Sequence, residues 1–392
     1  MGLEIHASGA SFDGFLVIDS VVHRTSSGGV RITPDLTIEE IRDLAHEMTL
    51  KYAWCGLPRG GAKSGLRMEH GLSPERRRGA LEEFGQRLGP LVHAGLYYPG
   101  MDLGCSAEDL QSIYKGAGLV IGKPTDTSYF TALTVASSLG AWTDTHPGSG
   151  PCRLAIEGFG SVAQHLVSML PENGFRVVAI ATAAGAACRP EGFTPGELGR
   201  ARAAHGDDLV HHLDGTRLPR EAVAGAETDV FMPAARTRSL SAARADSLSA
   251  RAVIPIANAP YAEGVSERLH ARGIVCLPGY VPNCGGVFAS SLHDSGVVRN
   301  EIERLFGPEY RRIVAKLLTV SGKLGRSPVE LAAGVAERAL VHRSRAHPSR
   351  WEVLGNRAGR RLPRAFRRQA AHRRCIASLR HLENELSGSA RG

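Results

Sequence analysis

Two lysines and one aspartate, set among glycine-rich turns between Gly28 and Asp102, are the residues of this chain best suited to do chemistry. Lys51 closes the run Ile41-Arg-Asp-Leu-Ala-His-Glu-Met-Thr-Leu50, whose apolar positions follow helical spacing. Twelve residues on, Lys63 lies in Leu57-Pro-Arg-Gly-Gly-Ala-Lys-Ser-Gly65, where a proline and three glycines predict a turn with its backbone close to a ligand. Asp102 follows in Tyr97-Tyr-Pro-Gly-Met-Asp-Leu-Gly104, a second glycine-flanked turn. A lysine withdrawn from water gives up its proton more readily, and a carboxylate beside it can exchange protons with an amine. That combination suits chemistry on an amino acid. A lone lysine or aspartate between glycines is usually a solvated loop residue, so the argument rests on the three together.

The elements that must position these groups are legible. Phe15 to Val22 and Gly28 to Thr33 read as strands, and Thr37-Ile-Glu-Glu40 as a capping box opening the helix that carries Lys51. A second helix starts at Ser73-Pro, and another at Ser106. A mostly apolar helix from Thr131 to Trp142 leads into a second domain. There Cys152-Arg-Leu-Ala-Ile-Glu157 is a strand running into Gly158-Phe159-Gly160-Ser161-Val162-Ala163 and directly into a helix. Strand before and helix after make this glycine pattern a dinucleotide fingerprint. Gly158 permits the tight turn, Gly160 admits the pyrophosphate to the helix N-terminus, and Ala163 lets helix and strand close up. The next strand ends in Thr182 instead of the acidic residue that grips an NAD ribose. The cofactor is therefore NAD or NADP, with Arg189 a candidate for a 2′-phosphate.

Composition bounds the rest. At 392 residues, two domains are the natural expectation. No apolar run reaches the roughly 18 residues of a membrane span, and the N-terminal residues have no signal-peptide pattern, which predicts a cytoplasmic protein. Seven cysteines without paired spacing suggest packed thiols and no metal site, with Cys284 close to a ligand. The formal charge of +8 is uneven. Residues 341–392 hold thirteen arginines against three glutamates, a local +10, and leave −2 for the remainder. Arg357, Arg360, Arg361, Arg364, Arg367 and Arg368 recur at helical spacings. We expect a solvated extension there, as an amphipathic helix or a partly disordered tail, in preference to a site for nucleic acid or another polyanion.

Taken together, Gly28-Gly-Val-Arg31, Met48-Thr-Leu-Lys51, Gly60-Gly-Ala-Lys63-Ser-Gly65 and Pro99-Gly-Met-Asp102-Leu-Gly104 closely resemble the N-terminal domain of the glutamate, leucine, phenylalanine and valine dehydrogenase family. Asp229-Val-Phe-Met-Pro-Ala234-Ala, Ile256-Ala-Asn258-Ala-Pro260 and Pro278-Gly-Tyr-Val-Pro-Asn283-Cys-Gly-Gly-Val287 are similar to the segments that line its cofactor. The resemblance spans residues 12 to 340. Ile256 and Ala259 stand where the family has glycine, and Gly279 where it has aspartate.

The resemblance implies a two-domain α/β protein: a substrate and oligomerisation domain over 1–130, a Rossmann domain over 131–340, and a basic extension over 341–392. It implies a homo-oligomer that interconverts an L-amino acid with its 2-oxo acid and ammonium. Lys51 would hold the α-carboxylate, Lys63 would be the general base, and Asp102 would relay amine protons. Asn258 and Asn283 would contact the nicotinamide ribose and carboxamide, with Thr182 and Ala234 also lining the cofactor. Gly28 and Gly29 fall beside the substrate. The lysine that precedes this Gly-Gly pair in the glutamate-specific branch is Ser27 here, while Ser290 matches the serine that assists it. A neutral substrate is expected. The rival expectation is a family scaffold without catalysis, acting as a ligand sensor or a nucleic-acid-associated protein through its basic tail.

Overall fold

The structure, a computed structural model, describes residues 2–345 apart from positions 70, 123, 125, 149, 294 and 295, together with residues 364–389. The chain divides into two compact units, Met1–Asp126 with Ala336–Arg361, and Thr127–Val335 with Leu362–Gly392. Each has its own sheet.

The first unit runs β1 (Leu3–His6), β2 (Asp13–Ile18), β3 (Ser26–Thr33), α1 (Ile38–Trp54), β4 (Gly60–Arg67), α2 (Pro74–His93), β5 (Tyr97–Met101) and α3 (Ala107–Gly116). Its sheet has the order β1-β2-β4-β3-β5, with β3 parallel to both neighbours and β2 antiparallel to both of its own. From Phe15 to Ile18 β2 is apolar without alternation because both faces are covered. Leu16 and Ile18 join Leu66 beneath α2 and α3, while Phe15 and Val17 meet Leu36, Ile41 and Ala45 on the α1 side.

Two expected turns are strands. Gly60–Arg67 forms the central strand β4, and Tyr97–Met101 forms the edge strand β5. The glycines of β4 serve close packing: a Cβ at Gly61 would lie 2.0 Å from the backbone nitrogen of Thr49 in α1. Lys63 pairs with Val17 and so faces α1.

The second unit contains α4 (Ser128–Thr145), β6 (Cys152–Glu157), α5 (Ser161–Met169), β7 (Phe175–Thr182), β8 (Gly185–Phe193), α6 (Pro195–His205), α7 (Leu209–His212), β9 (Thr216–Leu218), β10 (Val230–Pro233) and α8 (Ala242–Asp246). It continues with β11 (Ala252–Val253), α9 (Val265–Ala271), β12 (Val275–Cys276), α10 (Gly285–His293), α11 (Arg299–Arg304), α12 (Tyr310–Leu324) and α13 (Pro328–Arg345), and returns after residue 363 as α14 (Arg364–Ser389). The sheet order is β12-β11-β10-β6-β7-β8-β9, parallel from β12 through β7. Strand order reverses between β10 and β6, the switch point at which Rossmann-type sheets bind dinucleotides.

The C-terminal segment departs from the solvated extension expected of it. In α14 the residues Ala371, Cys375, Leu379, Leu382 and Leu386 recur at helical spacing and are buried. The helix packs on α12 and α10. Arg368 pairs with Glu301 at 2.6 Å, and Glu383 with Arg312 at 3.0 Å. A helix dense in arginine thus docks through the stripe between its charges. Arg357, Arg360 and Arg361 lie outside the described residues.

Candidate active site

In the first unit the predicted groups converge on the α1 face of the sheet. Lys63 Nζ lies 2.9 Å from Asp102 Oδ2, and Arg31 Nε donates to the same oxygen at 2.9 Å. Arg31 also donates to Glu40 Oε1 at 2.5 Å. Gly29 makes the meeting possible, since a Cβ there would lie 2.7 Å from the Asp102 Cβ. Lys51, in the last turn of α1, is buried, and its charge reaches Lys63.

The charge states follow from this geometry. Burial lowers the Lys63 pKa below the ordinary lysine value; Asp102 opposes that, while Arg31 and Lys51 add to it. Burial alone would raise Asp102, but the Lys63 and Arg31 charges overcome it and hold the carboxyl well below the usual range.

Two members of this network were not anticipated in these roles. Arg31 was visible as part of a matching segment and, with Arg24, as a residue that could restore a cation beside the substrate side chain, and Glu40 only as a capping residue. Thr37 does cap α1, accepting from the Glu40 backbone N–H, but the Glu40 carboxylate turns to Arg31 and leaves the box half formed. Ser27 is buried, and its hydroxyl donates to the Tyr98 carbonyl at 2.8 Å. Arg24 is exposed on a turn, with φ of +65°.

In the second unit the glycine pattern makes the expected strand-to-helix turn. Gly158 has φ of +102°, and a Cβ there would meet the Ala234 carbonyl carbon at 2.9 Å. A Cβ on Gly160 would meet open space. No side chain caps α5, so its first amides face the turn available to an anion. Phe159 and Ala163 are buried behind the turn, while Ser161 is exposed and Val162 half-buried. Beneath it, Glu157 is buried and paired with Arg244 at 2.8 Å, an ion pair that reading the strand as a strand does not reveal.

Thr182 ends β7 with its hydroxyl donating to the Asp207 carbonyl at 2.6 Å and accepting from the Ala184 N–H. Arg189 does not fit the 2′-phosphate role. It lies partway along β8, is bound to Glu197 at 2.5 Å, and sits over the Phe193 ring. Asn283 donates to the carbonyls of Ile256 and Ala257 and to Asn258 Oδ1 at 3.0 to 3.2 Å. Its own Oδ1 is buried without a partner, an acceptor still to be satisfied. Ala259, where the family has glycine, sits at φ of +40°. Cys284 is fully buried and donates to Tyr310, so its thiol points into the core and not toward a ligand. Ser290 is exposed on α10.

A glycine turn at a sheet switch point, in a chain whose other unit buries a lysine against an aspartate, places the protein among two-domain nicotinamide-dependent dehydrogenases. A family model described as glutamate/leucine/phenylalanine/valine dehydrogenase matches residues 123–305, and one described as the dimerisation domain of the same dehydrogenases matches residues 5–117. The chain belongs to this Glu/Leu/Phe/Val dehydrogenase family. It is 31% identical over 327 residues to a glutamate dehydrogenase of Thermotoga maritima, covering 75% of this chain and 77% of that one. An NADP-specific glutamate dehydrogenase of Synechocystis is 26% identical over 310 residues, 71% of each chain. The crystal structure of a hetero-hexameric glutamate dehydrogenase from Thermus thermophilus, in its Leu-bound form, superposes with a TM-score of 0.74 at 26% identity over 88% of both chains. The protein is accordingly an NAD(P)-dependent amino-acid dehydrogenase. Among the described residues no helix is long and apolar enough to cross a membrane.

Proposed function

We propose that the enzyme deaminates a neutral L-amino acid oxidatively to its 2-oxo acid and ammonium, or runs the reverse amination. The observation that carries the reading is the 2.9 Å contact of buried Lys63 with Asp102. Lys51 holds the substrate α-carboxylate. Lys63, its proton loosened by burial and neighbouring cations, accepts a proton from the attacking water. Asp102 orients Lys63 while ionised, and it takes up an amine proton only when one of its two cations withdraws, because both favour the anion. NAD or NADP supplies the hydride acceptor when bound. Gly158, Phe159, Gly160, Ser161, Val162 and Ala163 would form the turn that receives its pyrophosphate, Thr182 and Ala234 would line it, and Asn258 and Asn283 would take its nicotinamide half. The uncapped α5 and the unpartnered Asn283 Oδ1 suit such a guest.

The neutral substrate is argued from charge. Ser27, Gly28, Gly29 and Ser290 stand near the substrate side chain in this reading, and none carries a cation. Arg31 is committed to Asp102 and Glu40. A γ-carboxylate desolvated without a partner is disfavoured by about 3–5 kcal/mol. We assign residues 1–130 to substrate and self-association, 131–340 to the dinucleotide and 341–392 to the C-terminal extension, in a cytoplasmic homo-oligomer.

Specificity constants for glutamate, valine, leucine, phenylalanine and serine, each with NAD and NADP, test the reading. A neutral amino acid should lead. Glutamate ahead of all of them by tenfold would overturn the substrate class, and full turnover by a folded Lys63→Ala variant would overturn the base, whose loss should cost at least about a hundredfold.

A further inference from the structure

Tyr310, just beyond the 123–305 segment matched by the family model, holds the turn that carries Asn283. Tyr310 opens α12 directly after a π-helical turn, Leu305–Glu309, that contains Pro308. The wider turn rotates the helix relative to an uninterrupted one and helps direct Tyr310 inward, where it is fully buried. Its hydroxyl donates to the Val281 carbonyl at 2.6 Å and accepts the Cys284 thiol proton at 3.1 Å. Val281 and Cys284 flank Asn283 in the turn before α10, and both are fully buried. One phenol therefore ties the turn on either side of the asparagine. The same turn is held from the other direction by Asn283 Nδ2, which donates into the Ile256–Asn258 loop. Both amide protons are committed there, which leaves the buried Oδ1 as the acceptor without a partner.

We propose that Tyr310 is a positioning residue for the nicotinamide end of the cofactor. It fixes the Val281–Cys284 turn so that the Asn283 amide keeps its Oδ1 free for the carboxamide N–H. The inference rests on the assignment of Asn283 to the nicotinamide half. A phenylalanine at 310 keeps the ring and removes both tethers, so the turn can rotate and let Oδ1 find a protein donor.

Direct binding tests this, by fluorescence titration or calorimetry with NADH and NADPH beside ADP-ribose, which lacks the nicotinamide. Tyr310→Phe should weaken the reduced cofactor about tenfold, the scale of a lost hydrogen bond, and leave ADP-ribose within about twofold. Asn283→Ala should weaken the reduced cofactor similarly, and the double variant should be little worse than either single one, because both act through one amide. Equal weakening of NADH and ADP-ribose in Tyr310→Phe, or no weakening of either, overturns the proposal. Additive effects in the double variant overturn it too. Unchanged NADH affinity in Asn283→Ala removes the underlying assignment instead, and a normal Asn283 response beside a silent Tyr310→Phe condemns the positioning role alone. If Tyr310→Phe does not fold, Cys284→Ala takes its place: it removes one tether, and should weaken NADH about threefold with ADP-ribose unchanged.

Discussion

At the scale of single residues, chemistry here depends on crowding like charges around one carboxylate. Arg31 and Lys63 share Asp102 Oδ2 at equal distances, so each cation makes the other's proton less welcome. The pH dependence follows with a definite sign. As a base Lys63 must be uncharged, so kcat/KM for deamination should rise with pH through an inflection below about 10.4, the ordinary lysine value. Arg31→Met removes a cation and makes protonated Lys63 cheaper to keep, which should move that inflection upward. An inflection that stays in place, or falls, refutes the coupling. Stability moves in the same direction, but at the acid end. The depressed Asp102 contributes above its unfolded value of about 3.9, and that contribution is lost as pH falls through its folded value. Lys63 and Asp102 were legible because each is set among glycines, and Lys51 because it closes a helical run in a segment that matches the family. The carboxylate of Glu40 was not, since a capping motif explains a glutamate at that position and gives no hint that the side chain will leave it for a strand arginine.

At the scale of elements, local composition misled in one direction. Gly60–Gly65 and Tyr97–Gly104 carry the residues of turns, yet both lead into or form strands; in β4 the glycines Gly61 and Gly65 are what a strand needs when a helix, here α1, presses on it. The fingerprint of the second unit was readable because its glycines do act as turn residues, and strand and helix adjoin it in sequence. The C-terminal helix was hidden by its charge. Its arginines dominate the composition, while the buried stripe needs only five residues spread over four turns. Truncation after residue 345 should therefore lower stability, and not leave the protein unaffected as a solvated extension would. Each leucine of the stripe contributes roughly 1.5–3 kcal/mol when buried, and ordering the helix offsets much of that. A net loss of about 2 kcal/mol in urea unfolding is expected; a truncated chain as stable as the full one would show that the helix docks without consequence.

At the scale of the whole molecule, the net charge of +8 describes the C-terminal segment more than the protein; there Arg368 is paired with Glu301, and the segment's own Glu383 with Arg312. The helix reaches α10, the element that begins just past Asn283. If Asn283 takes the nicotinamide half as proposed, cofactor and C-terminal helix are two guests of one short helix, and thermodynamic reciprocity binds them to each other. Whatever affinity the docked helix then lends to NADH, NADH should return as slower amide hydrogen exchange in residues 364–389, which would register their host's occupancy.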